Sequence, residues 1–166
     1  MIKKALFIFS ALALFSLPAQ LSAATGYVEI SWGDFLAGNS IGSEPPNYLL
    51  TIDSTWHVIP IHFPVKTGTV KALRMRAKDE NASYEIKLKL YRVKHTGGGK
   101  DLVYLAKSGV AFSSSALSTF TVNTLSTPNT DAIDNSQYSW VIFLFSDCPS
   151  ASSLEKFYSA RIEYTY

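Results

Sequence analysis

From residue 25 onward, apolar and polar positions alternate in short runs broken by Gly, Pro, Asn, Asp and Ser. No window sustains the 3.6-residue period of an amphipathic helix, so the pattern is that of an all-β chain. The most apolar run of this part follows the turn signal Asp134-Asn135-Ser136. In an extended strand Tyr138, Trp140, Ile142 and Leu144 share one face. The other face begins polar, with Gln137 and Ser139, and then becomes apolar at Val141, Phe143 and Phe145. A strand apolar on both faces belongs in the interior of a sheet, with something lying over its second face. Burying Val141, Phe143 and Phe145 is worth roughly 1.5–3 kcal/mol each. The expected cover is either the long Gly33–Asn47 loop or a neighbouring subunit. On the second reading these three residues form the interface of a closed homo-oligomer, with a trimer as the expected form.

Other runs supply the partners. Val28, Ile30 and Trp32 align within 27–32, and Tyr48, Leu50 and Ile52 within 48–53. The run 56–63 changes apolar phase across Pro60, which marks a bulge or an edge strand because proline cannot donate to a ladder. Strands are also expected at 102–107, 119–125 and 154–166, with the serine-rich stretch 112–118 read as a loop. The most constrained pair is 73–78 with 83–90. Leu73, Met75 and Ala77 share a face opposite Arg74, Arg76 and Lys78; Ile86, Leu88 and Leu90 share one opposite Glu85, Lys87 and Lys89. A four-residue hairpin loop would set Leu73 against Leu88 and Met75 against Ile86, with Arg74 opposite Lys87 on the polar face. About eight antiparallel strands are expected, arranged as a two-sheet, jelly-roll-like β-sandwich.

The N-terminus has the form of a secretory signal peptide: Lys3 and Lys4, an apolar stretch from Ala5 to Leu17, Pro18, then Ser22-Ala23-Ala24 before the cut. The expected organisation is therefore a signal peptide over 1–24 and one domain over 25–166, secreted, periplasmic or at the cell surface, with no membrane span after cleavage. The whole chain carries 15 basic and 13 acidic side chains. Removing Lys3 and Lys4 brings the two counts level, so charge gives no case for nucleic-acid binding. Cys148 is the single cysteine, so no intrachain disulfide forms; it is expected to be a buried or inert thiol.

Candidate chemistry is sparse. There is no G-x-S-x-G elbow, and His57 and His62 stand at an odd spacing that puts them on opposite strand faces. The chain is accordingly read as non-enzymatic. Asp131, Asp134 and Asn135 form an oxygen-rich loop of the kind calcium takes, as do Asp79, Glu80 and Asn81, although the same residue types are ordinary turn formers. Calcium, at Asp131, Asp134 and Asn135, is the one cofactor the sequence suggests. In the hairpin reading Arg74, Arg76, Lys78, Lys87 and Lys89 make a basic stripe suited to an anionic polysaccharide or other anionic surface ligand. Directly opposed like charges cost stability, and such a ligand would neutralise them. Trp32 and Trp140 are read as core; Trp56 is open between core and ligand stacking.

The turn Asp134-Asn135-Ser136-Gln137-Tyr138 before a late core strand and the closing strand Arg161-Ile162-Glu163-Tyr164-Thr165 resemble small secreted bacterial β-sandwich proteins of unassigned function, over about residues 60–166. That resemblance implies a fold and no activity. The functional expectation is a secreted binding or assembly protein. Its rivals are a carbohydrate-binding module and a small eight-stranded outer-membrane barrel, the latter suggested by alternate apolar residues before the terminal Tyr166.

Overall fold

A computed structural model describes residues 23–35, 49–50, 56–81, 83–109, 114–146 and 155–166. Two antiparallel sheets pack face to face. In chain order the elements are β1 (Thr25–Ser31), a 3₁₀ turn (Trp32–Phe35), β2 (Leu49–Leu50), β3 (His57–Ile61), β4 (Thr67–Asp79), β5 (Ile86–Lys94), β6 (Lys100–Lys107), β7 (Ser114–Val122), β8 (Ala132–Asp134), β9 (Tyr138–Ser146) and β10 (Lys156–Thr165). The first sheet runs β1-β10-β4-β7, with the short β2 beside β10 and the short β8 beside β4; the second runs β3-β9-β5-β6. Successive long strands therefore alternate between sheets except at β5–β6, and the first pairs with the last. This is the jelly-roll arrangement.

The alternation read from the sequence sets which side chains enter the core. Leu73, Met75 and Ala77 from β4, Ile86, Leu88 and Leu90 from β5, and Ile142 and Leu144 from β9 are all fully buried, with Trp140 2% exposed. Tyr104 crosses from β6 to the other sheet, where its hydroxyl donates to the Val70 carbonyl at 3.1 Å. Burial and the nearby charge of Asp131 push that phenol up to about 12.

The expected 73–90 hairpin is corrected. β4 and β5 lie in opposite sheets, β4 between β10 and β7, and β5 between β9 and β6. Their apolar faces do meet, but across the core rather than side by side. The connection from β4 to β5 therefore passes from one sheet to the other, and its start is held by Asp79, which is fully buried. Asp79 Oδ1 accepts the Asn81 N–H at 3.1 Å and Oδ2 accepts the Ser108 hydroxyl at 2.5 Å. The true hairpin is β5–β6, closed by Lys94 N–H to Gly99 O at 2.8 Å. Gly97 and Gly98 there have φ of 83° and 65°, a region that favours glycine.

One rival reading falls and one further expectation changes. The single closed eight-stranded barrel is not formed: the strands divide into two sheets packed about an apolar core. The serine-rich stretch is strand from Ser114, because β7 pairs with β4 along Ala77↔Ser118 to Leu73↔Val122. Pro60 is an edge residue, as expected: β3 is the outer strand of its sheet and pairs with β9 without a bulge. Cys148, most of the signal segment, most of the Gly33–Asn47 loop and most of the 48–53 strand lie outside the described residues.

Candidate functional site

β9 places Val141, Phe143 and Phe145 on the outer face of the second sheet. Phe143 pairs with Val58 of β3 on one side and Lys89 of β5 on the other; Val141 pairs likewise with Pro60 and Tyr91. Trp56, Val58 and Pro60 alternate outward, while His57, Ile59 and Ile61 turn in. The three β9 residues are half-buried, and what lies against the two phenylalanines is aromatic. Trp56 stacks on Phe145, with centroids 4.3 Å apart and planes at 22°, and meets Phe143 edge-on at 5.9 Å. Tyr91 meets Phe143 edge-on at 5.2 Å. Trp56 is itself 46% exposed and Val58 48%. The cover over β9 is thus a thin aromatic layer that still presents apolar surface to water.

Lysines frame this layer. Lys89 Nζ lies 4.8 Å from the centre of the Trp56 ring and Lys100 Nζ 5.6 Å from that of Tyr91. Neither has a carboxylate partner among the described residues. Trp56, Lys89, Tyr91, Lys100 and Phe143 line an open cleft of about 330 Å³. Immediately before β5, Glu85 binds Lys87 at 2.9 Å and Lys107 at 3.2 Å. Burial works to raise the Glu85 carboxyl, but the hydrogen bonds and charges of the two lysines outweigh it and hold the group below its ordinary range. The face therefore offers flat rings for stacking beside Lys89 and Lys100, neither of which pairs with a carboxylate among the described residues.

The five cations expected as one stripe are divided by the corrected topology. Lys87 and Lys89 belong to this face. Arg74, Arg76 and Lys78 lie on the outer face of the other sheet, where Arg74 bonds Glu163 at 3.1 Å and Lys78 bonds Glu80 at 2.5 Å. Arg74 stands opposite Arg161, not Lys87. The oxygen-rich loop is also occupied by its own turn. Asp134 Oδ1 accepts the N–H and hydroxyl of Ser136, and Oδ2 accepts the Gln137 amide at 2.7 Å. The side-chain and backbone hydrogen bonds of Ser136 lower the Asp134 pKa. Asn135 donates to the carbonyls of Phe63 and Val65. The Asp131 carbonyl accepts the Val70 N–H at 2.8 Å.

His57 is buried and His62 exposed, on opposite faces as the spacing requires. His95 pins the end of β5 to the 135–137 turn, its Nδ1 donating to Ser136 O at 3.2 Å and its Nε2 accepting from Ser139 Oγ at 2.9 Å. Tyr91 and Lys100 were not singled out from the sequence. The signal was present for Tyr91, which continues the outward phase of Lys87 and Lys89, but nothing local shows that Trp56 and Lys100 reach the same patch.

No family model matches the chain. Comparison with curated proteins finds no match either. Among solved structures, a chain of Desmodium yellow mottle tymovirus aligns over 87% of this chain and 81% of its own, at 11% identity and a TM-score of 0.33. The Avr2 effector protein from the fungal plant pathogen Fusarium oxysporum aligns over 79% and 95%, at 12% identity and a TM-score of 0.25.

Proposed function

We propose that this β-sandwich is a binding protein, and that its ligand is an anionic polysaccharide held on the outer face of the second sheet. The observation that carries this reading is the juxtaposition of Trp56, stacked on Phe145, with Lys89 at 4.8 Å over the same ring. A pyranose presents an apolar C–H face that can pack on the exposed part of the indole, with Lys89 turning from the ring to the sugar's carboxylate or sulfate substituent and Lys100 beside it. Stacking of this kind needs flat, part-exposed rings on a rigid support, which strands supply.

The other occupant of such a face is a second copy of the chain, and the exposure of Val58 and Trp56 favours some apolar cover. An isologous dimer would, however, bring Lys89 and Lys100 of one copy towards those of the other, with no described carboxylate to absorb the charge. An anionic ligand fits the same surface without that cost.

Affinity electrophoresis through gels containing heparin, alginate or neutral dextran tests the proposal. The protein is expected to be retarded by the two charged polymers and not by dextran. Trp56→Ala and Lys89→Ala should each remove most of the retardation. Higher salt should weaken wild-type binding, because exposed charges are screened within about 10 Å at 0.1 M. Retardation that survives both substitutions overturns the assignment. So does sedimentation of the wild type as an oligomer that Trp56→Ala converts to monomer, which assigns the face to self-association.

A further inference from the structure

The opposite side of the sandwich carries a second concentration of positive charge, built by a different logic. Across the outer face of the first sheet one row runs Glu29, Arg161, Arg74, Thr121, and the next runs Ser31, Ser159, Arg76, Thr119. Arg161 and Arg74 are direct cross-strand neighbours, an arrangement that costs stability unless something negative lies near. Each is held by one carboxylate from the side: Arg161 Nε bonds Glu29 at 2.6 Å and Arg74 Nη2 bonds Glu163 at 3.1 Å. The third guanidinium, Arg76, makes no ion pair or hydrogen bond among the described residues. The Arg74 Nε–H is buried and has no hydrogen-bond partner among the described residues. Between these groups is a cleft of about 250 Å³, bordered by Glu29, the three arginines and the hydroxyl residues Ser159 and Thr119. β10 has a bulge at Tyr158, between the pairs Phe157↔Ala77 and Ser159↔Arg76, so the ladder is irregular where the cleft opens.

We infer that this cleft binds a tetrahedral oxyanion, a phosphate or sulfate group, at a site distinct from the aromatic face. The arginine fork matches the spacing of two oxygens on such a group, and a charge-assisted pair of this kind is stronger than a neutral hydrogen bond. Arg76 supplies the free fork. The hydroxyls of Ser159 and Thr119 flank it from the two neighbouring strands. Arg74 and Arg161, fixed by Glu163 and Glu29, contribute field without needing to reorganise. Glu29 lines the cleft as well, so it sets an upper limit on affinity: its carboxylate competes for Arg161 and repels the incoming anion.

Isothermal titration of the purified protein with inorganic phosphate and, separately, inorganic sulfate tests this, with chloride at matched ionic strength as the reference. Saturable binding of phosphate or sulfate is expected, with none for chloride. Arg76→Ala should weaken binding by about ten- to a hundred-fold, the scale of losing a hydrogen-bonded charged partner. Arg76→Lys should recover only part of it, because an ammonium keeps the charge and loses the fork. Glu29→Gln should tighten binding. Lys71→Ala, which removes an exposed charge of β4 outside the cleft, should leave binding unchanged. If phosphate and sulfate behave like chloride, or if Lys71→Ala costs as much as Arg76→Ala, the site does not exist. Because the ligands are small ions and the residues lie on the other sheet, the outcome is independent of polysaccharide binding at Trp56.

Discussion

Replacing Asp79 by alanine distinguishes a connection between sheets from a hairpin within one. In a hairpin Asp79 would open an exposed loop, and a surface change there costs within about 0.5 kcal/mol either way. In the sandwich its side chain is fully buried and accepts from both Asn81 N–H and the Ser108 hydroxyl. Leaving a buried donor unpaired costs about 1–3 kcal/mol. Asn81 is half-buried, so water recovers part of its share. The expected loss for Asp79→Ala is therefore about 2–4 kcal/mol, with Asp79→Asn near half of that because one acceptor oxygen remains. For a domain of this size that corresponds to a fall in Tm of roughly 6–16 °C. Urea denaturation followed by circular dichroism measures it, and the slope should not change, since the surface exposed on unfolding is the same. Ser108→Ala should be sub-additive with Asp79→Ala, as both break one contact. A loss below about 0.5 kcal/mol for Asp79→Ala, or strict additivity with Ser108→Ala, would refute this role for Asp79.

Three further outcomes follow from the packing. Leu88→Ala should cost about 2–5 kcal/mol in the same assay, because the side chain is fully buried between the sheets. Gly26→Ala should cost about 1–3 kcal/mol, since a Cβ there meets the Tyr164 ring across the β1–β10 pair, while Gly99→Ala, with open space around it, should be near neutral. Burial lowers the pKa of His57 from its ordinary 6.5. The unfolded chain thus takes up this proton first as pH falls, so stability should decline from about pH 6.5 downward until the folded pKa is reached. A His57→Leu variant, scanned for its denaturation midpoint between pH 7 and 5, should lose that part of the slope.

Strand faces were legible in the sequence because a period of two leaves a direct trace. Trp140, Ile142 and Leu144 point inward, and Leu73, Met75, Ile86 and Leu88 are buried together, as the alternation requires. Pairing was not legible for β4 and β5. Two apolar faces are satisfied equally by lying side by side at about 5 Å or facing each other across about 10 Å of core. The residues that decide between these, Asp79 and Ser108, are far apart in sequence, and Asp79 alone looks like any turn former. The 73–90 basic stripe failed with the hairpin on which it rested. Arg161 and Arg74 meet only because β10 pairs with β4 across most of the chain, a register that no local pattern encodes. Trp56 had its outward phase in the sequence, but its contact with Phe145 depends on β3 lying beside β9.

Acrylamide quenching of tryptophan fluorescence during titration with heparin tests the aromatic face most directly. Trp56 is 46% exposed, Trp32 partly buried and Trp140 2% exposed, so Trp56 is the most quencher-accessible of the three. Stacking of a saccharide on the indole should shield it, lowering the quenching constant in a saturable way that neutral dextran does not reproduce and that Trp56→Phe abolishes. A quenching constant that stays flat while heparin demonstrably binds would place the ligand elsewhere and contradict the assignment of the face.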